Sequence, residues 1–159
     1  MKMKDEEVLM SVSVVFKKKG KEFVWFLVKQ GDSQDWELPR TIARRGESSV
    51  RASIRLMGEQ GGMRARIFEE LDRHMGAGKI NDRVVTQKTL YYIMENLGSG
   101  EEPLAFVESE WLPAEKAVKK LKNAREIKVL KEASKMVQVL KKAGRLKRPP
   151  VVVEEVKVE

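Results

Sequence analysis

The chain contains no cysteine, a single histidine (His74) and three asparagines (Asn81, Asn96 and Asn123). Lack of cysteine excludes a disulfide framework and a thiolate zinc site, and one histidine excludes a histidine-based triad or a multi-histidine metal centre within one chain. No apolar run approaches the roughly 20 residues that a bilayer span requires, so no membrane partner is expected. The opening residues Met1–Glu7 are too acidic and too poor in apolar side chains for a signal peptide, which predicts a cytoplasmic protein. Any chemistry must rest on carboxylates, hydroxyls and Lys or Arg.

What is present is charge around enough apolar material for one core. Of 159 residues, 42% are hydrophobic and 35% charged, with a formal net charge of +8. These values predict one domain over residues 1–148, followed by a tail or added strand at 149–159. The paucity of Asn and Cys leans toward a thermophile-like composition. The positive excess is local: Trp111 to Arg148 carries 13 Lys and Arg against Glu115, Glu126 and Glu132, and the remainder is slightly acidic.

Alternating apolar residues predict strands over Val8–Phe16 and Glu22–Lys29, joined through a turn at Gly20. A helix is expected after Ser48, which can cap it, with Val50, Ile54 and Met57 as its apolar face and Gly61-Gly62 as its stop. Further strands are expected at Arg66–Leu71 and Val84–Glu95, turning at Gly76–Lys79, with a last strand at Leu104–Val107. From Pro113 one long amphipathic helix is expected, burying Val118, Leu121, Val129 or Leu130, Ala133, Val137 and Leu140, and stopping at Pro149-Pro150.

The stretch from Trp36 to Met63, WELPRTIARRGESSVRASIRLMGEQGGM, resembles the Nudix box, whose pattern is Gly, five residues, Glu, seven residues, then Arg-Glu-hydrophobic-x-Glu-Glu-x-Gly-hydrophobic. Glu47, Arg55, Met57, Glu59, Gly62 and Met63 match. Thr41, Leu56 and Gln60 stand where the family has its first Gly and two of its Glu residues. Trp36, Leu38 and Pro39 before the box, Thr89-Leu-Tyr-Tyr, and the closing Glu108-Ser-Glu-Trp-Leu-Pro segment with the helix after it are also similar to the family. The resemblance spans Val8 to Leu140 and implies a Nudix-type α/β/α sandwich: an α/β fold with a mixed sheet and, here, a long basic C-terminal helix.

The resemblance also implies chemistry: hydrolysis of a nucleoside-diphosphate-linked pyrophosphate with Mg²⁺ or Mn²⁺ held by box carboxylates. A divalent cation neutralises phosphate oxygens and positions water, and Mg²⁺ seeks a near-octahedral set of oxygens. Positions 56, 59 and 60 are one turn apart or less, so three Glu residues there would form an anionic patch. Here the patch reads Leu56, Glu59, Gln60. The candidate metal ligands are Glu47 and Glu59, joined by Glu108 or Glu110 from the later segment, and the candidate catalytic group is Glu59, Glu47 and Arg55, with Arg55 expected to pair with Glu59. Losing two carboxylates predicts hydrolysis that is weak or lost. Arg40, Arg44, Arg45 and Arg51 beside the box are candidate phosphate binders, since guanidinium groups bind phosphate but do not activate water.

Each assignment has a plainer counterpart. Glu47 and Glu59 read equally as a structural pair held through Arg55, and the arginines as a solvated face. Trp36, Tyr91 and Tyr92 are candidates to stack a base, though strand aromatics usually belong to a core, and of Tyr91 and Tyr92 at least one should face away from it. His74 reads as a turn or surface residue. The basic segment Arg125–Arg148 reads as a polar helix face or as a contact for RNA or the ribosome. Three functions follow: a protein with a degenerate Nudix box that binds a phosphate-rich nucleotide ligand, an active Mg-dependent hydrolase of nucleoside polyphosphates or ADP-ribose-like substrates, and a non-enzymatic RNA- or ribosome-binding protein.

Overall fold

A computed structural model describes residues 7–100 and 106–146. Strands β1 (Glu7–Lys19), β2 (Glu22–Lys29) and β3 (Arg40–Ile42) precede helix α1 (Ser49–Glu59); β4 (Met63–Ile80), β5 (Arg83–Ser99) and β6 (Glu108–Pro113) follow, and α2 (Ala114–Lys120) and α3 (Ala124–Lys142) close the order. The sheet runs β4-β5-β1-β2-β6, with β3 also paired to β1. It is mixed, because β1 and β5 run parallel while the other pairs are antiparallel. The expected α/β/α sandwich is therefore the fold observed.

Both faces of the sheet are covered. Successive strand side chains point to opposite faces, so Val12, Val14, Phe16, Trp25, Leu27, Tyr91 and Ile93 enter a core under α2 and α3. Their neighbours Val15, Phe26, Val28, Leu90, Tyr92 and Met94 enter a second core under α1. Tyr91 and Tyr92 point apart as adjacent strand residues must, yet both are buried. The expectation that one would lie outside a core fails because there is a core on each side.

Helix α1 begins where expected: the Ser48 side chain accepts a hydrogen bond from the Arg51 N–H. Its buried face differs from the apolar spacing. Val50 and Ile54 are 39% and 44% exposed, whereas Ala52, Ser53, Leu56 and Met57 are buried. Small polar side chains explain the rotation. Ser11 donates to the Ser49 carbonyl at 2.7 Å, the Ser11 and Ser53 hydroxyls lie 2.5 Å apart, and the Ser49 and Tyr92 hydroxyls 2.6 Å apart. The first half of the helix thus meets the sheet through paired hydroxyls, and Leu56 and Met57 bury hydrocarbon beyond them; the hydroxyl seam is one that hydrophobic periodicity does not register.

Three other boundaries move. The β4–β5 turn is at Asn81-Asp82, with φ of 50° and 62°, rather than at Gly76–Lys79. Two successive residues of positive φ suit the primed turns that follow the twist of a hairpin, and Asn and Asp tolerate that conformation better than most. His74 consequently sits on a strand, exposed, rather than in a turn. The last strand is Glu108–Pro113 rather than Leu104–Val107; Leu104 and Ala105 lie outside the described residues. The expected single closing helix is two, because Asn123 breaks it and caps α3, accepting from the Arg125 and Glu126 N–H groups. Helix α3 stops before Gly144, whose φ is +69°, well short of Pro149; the tail at 149–159 lies outside the described residues.

The α3 N-terminus is tied to the strand entering the box. Glu126, buried, accepts from the Leu38 N–H at 3.0 Å and from Arg40 Nη2 at 2.9 Å. Gln30 brackets the Arg40 backbone, accepting from its N–H at 2.8 Å and donating to its carbonyl at 3.0 Å. Burial raises the Glu126 carboxyl to about 6, with Glu37 adding to the rise and Arg40 and the Leu38 N–H opposing it. A folded-state value above the unfolded one favours the protonated fold, so this contribution to stability is present below about 4.5 and lost as pH rises through about 6. Glu126→Gln should remove that loss. Relative to wild type, the variant should gain on the order of 2 kcal/mol between pH 4.5 and pH 7; parallel thermal melts showing a constant difference would contradict the assignment.

Candidate active site

The box folds as a loop, helix α1 and a turn, held by one doubly hydrogen-bonded pair. Arg55 Nε donates to Glu47 Oε2 at 2.9 Å and Arg55 Nη2 to Glu47 Oε1 at 3.0 Å, while the Arg44 N–H donates to Glu47 Oε1 at 3.0 Å. Arg55 Nη2 also reaches the Ile42 carbonyl at 3.2 Å, so one guanidinium ties the exit of β3, the loop and α1 together. Gly46, at φ +78°, supplies the left-handed residue that turns Glu47 inward. Paired first with Arg55 and then with the Arg44 amide, Glu47 is held down at about 2.

This pairing differs from the expected one. Arg55 clasps Glu47, not Glu59. Glu59 faces solvent, its side chain 59% exposed, and its ion-pair neighbour among the described residues is Arg44 Nη2 at 3.6 Å. Leu56, at a family carboxylate position, is fully buried with Val15, Phe26, Val28, Met57 and Phe106. Gln60 is half-buried at the helix end. Thr41 lies in β3 opposite Ser11 and takes no positive φ, so the conformation reserved for the family's glycine is not used.

Strand parity distributes the remaining candidates. Arg40 pairs in register with Val12, which faces α3, and its side chain joins Glu126 and Glu37 there. Arg40 is therefore separated from the box helix by the sheet. Tyr91 lies on the same side, its hydroxyl pushed up by burial first and by Glu126 next. Glu108 and Glu110 are in register with Lys29 and Leu27, and Leu27 faces the α3 core. They pair with Lys29 at 3.2 Å and Lys120 at 2.5 Å, away from Glu47 and Glu59. Trp36 packs against the α3 core with the ammonium groups of Lys120 and Lys29 over its ring at 4.8 and 5.1 Å. Arg44, Arg45 and Arg51 stay exposed around the N-terminal end of α1.

The site brought together is thus Glu47, Arg55, Glu59 and Arg44, flanked by Arg45 and Arg51. Among the described residues no three acidic or histidine side chains come close enough to share a metal ion. Glu47 spends both oxygens on Arg55 and Arg44, leaving Glu59 as the uncommitted box carboxylate. One exposed carboxylate falls short of an oxygen set that could hold Mg²⁺ or Mn²⁺ without a substrate's own phosphates and waters. Ser49 and Ser53, which seat α1, give no spacing signal in the sequence, and Tyr92, a candidate to stack a base, is buried beneath α1 with its hydroxyl on Ser49.

No family model matches the chain. It is 26% identical over 118 residues to a Mycobacterium tuberculosis protein whose name, MutT4, assigns it provisionally to the mutator proteins; the match covers 73% of this chain. The chain spans about half of that relative, 48% of its length. Among solved structures it superimposes on a Caenorhabditis elegans Ap4A hydrolase in a binary complex (TM-score 0.65, 17% identity, 83% of this chain and 98% of that one). The Nudix domain of Shewanella oneidensis NrtR with ADP ribose (0.63, 13%, 83% and 89%) and a Nudix hydrolase from Nitrosomonas europaea (0.63, 12%, 91% and 98%) are similar too.

Two substitutions test the site's architecture. Because the Glu47 carboxyl is lowered on folding, its contribution is present above about 4.5 and lost as pH falls toward 2. Glu47→Gln should lower the melting temperature at pH 7, with the deficit shrinking through that acidic window; a deficit independent of pH would refute the clasp. Leu56→Glu should lower stability by about 2–5 kcal/mol, as for losing a core leucine, or more for placing a charge there. Chemical denaturation of an equally stable variant would show that position 56 is not core.

Proposed function

We propose that this chain, which has the Nudix fold, binds a phosphate-rich nucleotide ligand at the α1 end of the box and that pyrophosphate hydrolysis there is weak or lost. The observation carrying this reading is the fate of the carboxylates: Leu56 is core, Glu47 is clasped by Arg55, and Glu59 alone faces solvent. Arg44, Arg45 and Arg51 are exposed beside the start of α1, whose first turn carries no acidic residue to compete for an anion. Guanidinium forks pair with phosphate oxygens without a cation. Arg44 is loosely engaged by Glu59 at 3.6 Å and can exchange that partner for a phosphate. Nucleotides as the ligand class accord with the Ap4A hydrolase and the ADP-ribose-bound Nudix domain that share the fold.

The mechanism is binding and orientation. Arg55 and Glu47 neutralise each other and fix the loop, so the outward arginines are presented from a rigid turn. Glu59 retains the ability to accept a hydrogen bond or, with a substrate's own phosphates and waters, to contact a cation. Dinucleoside polyphosphates, ADP-ribose and nucleoside triphosphates, titrated with and without Mg²⁺ or Mn²⁺, test this. Binding should persist without divalent ions and weaken about tenfold, roughly 1.4 kcal/mol, in Arg44→Ala with Arg45→Ala. Phosphate release at ordinary enzymatic rates, abolished by Glu59→Gln, would replace this reading with that of an active hydrolase.

A further inference from the structure

Several basic residues of the closing segment are ion-paired: Arg125 with Asp72, Lys120 with Glu110, Lys122 with Asp35 and Arg145 with Glu69. Lys128, Lys131, Lys135 and Lys142 of α3 are exposed and have no ion pair among the described residues. On a helix of 3.6 residues per turn, these four fall within an arc of about 60° and extend over about 21 Å along the axis. Opposite them, Val129, Leu130, Ala133, Val137 and Leu140 are buried against the sheet, so the ridge is fixed in orientation.

We propose that this ridge binds the phosphodiester backbone of duplex DNA, at a surface separate from the box. Four ammonium groups strung along 21 Å cannot converge on one phosphate, so their complement is a linear array of negative charge. Duplex DNA is such an array, with one negative charge per about 1.7 Å of helix axis when both strands are counted. Single strands are held largely by stacking on aromatic side chains, and the exposed face of α3 has none. A membrane surface requires apolar anchors beside the cations; Val139 is the one exposed large hydrophobic residue on α3. Duplex RNA is recognised mostly by shape, through contacts that span two successive minor grooves and the phosphates between them, a reach that one straight ridge of about 21 Å does not have. Binding should accordingly be indifferent to base sequence. Arg125 lies outside this surface because Asp72 holds it, and Lys147 and Arg148, part of the basic stretch expected to meet RNA, lie outside the described residues.

Fluorescence anisotropy of the full chain with a labelled duplex of about 20 base pairs tests the ridge. The expected dependence of log affinity on log salt is a slope of about −3 to −4, the value for four displaced counterions. Lys131→Glu with Lys135→Glu should weaken binding at least about tenfold and flatten the slope by about two. The control is Lys18→Glu with Lys19→Glu on the exposed β1–β2 turn, which makes the same change in net charge and should leave most of the affinity. Circular dichroism verifies that both variants fold. Equal losses in the two variants would reduce the effect to net charge and overturn the ridge. No binding at low salt, or tighter binding to duplex RNA or to phosphatidylserine vesicles than to DNA, would overturn the assignment of its partner. Nucleotide binding at the box is measured separately, so either proposal can fail alone.

Discussion

A sheet buried on both faces leaves each strand residue no choice of side beyond the parity of its position, and this constraint governs where every candidate functional group ends up. The central strands β1 and β5 pair in parallel over Glu7–Phe16 and Thr86–Glu95, so a residue and its partner share a face. A shift of one residue would exchange the two cores wholesale. Arg40 and Thr41 show the effect at closest range. They are neighbours in the chain, yet Arg40 reaches Glu126 under α3 while Thr41 faces the side of α1. Glu108 and Glu110 obey the same rule, which sets them beside Lys29 and Lys120 instead of Glu59.

This explains how much the sequence reveals. Strong local signals carry through: β1 and β2 with the Gly20 turn, the Ser48 cap, and the order of strands, box and closing helices. The fold class follows from that order. The site does not, because it depends on register between distant strands. Arg40, Arg44, Arg45 and Arg51 are adjacent on paper, but Arg40 is divided from the rest by a layer of sheet. Leu56 is likewise misleading in one dimension. Its spacing from Glu59 and Gln60 suggests a shared face, but the face that α1 buries is set by Ser11 of β1 and by Tyr92, whose roles appear only when helix and sheet are brought together.

Within the box, the decisive competition is between holding a loop and holding a cation. A carboxylate that accepts from Arg55 twice and from a backbone amide has its charge already matched, and its lowered value on folding reflects that match. Offering the same oxygens to a divalent ion would break the clasp that ties β3, loop and helix. With Leu56 committed to the core, what the loop and helix present to solvent is a rigid turn bordered by the exposed guanidinium groups of Arg44 and Arg45.

The same reasoning separates the two basic regions that underlie the net charge of +8. At the box loop the exposed arginines lie on one short loop and the first turn of α1, the arrangement on which the proposed binding of a compact phosphate group rests. Along α3 the lysines diverge, each one turn or two from the next, while the residues between them anchor the helix to the core. A compact anion would engage one or two lysines of such a ridge and leave the others solvated, whereas an extended polyanion would engage them together. If both proposals hold, charge distribution on a rigid frame, more than the total charge, sets which anion each surface selects.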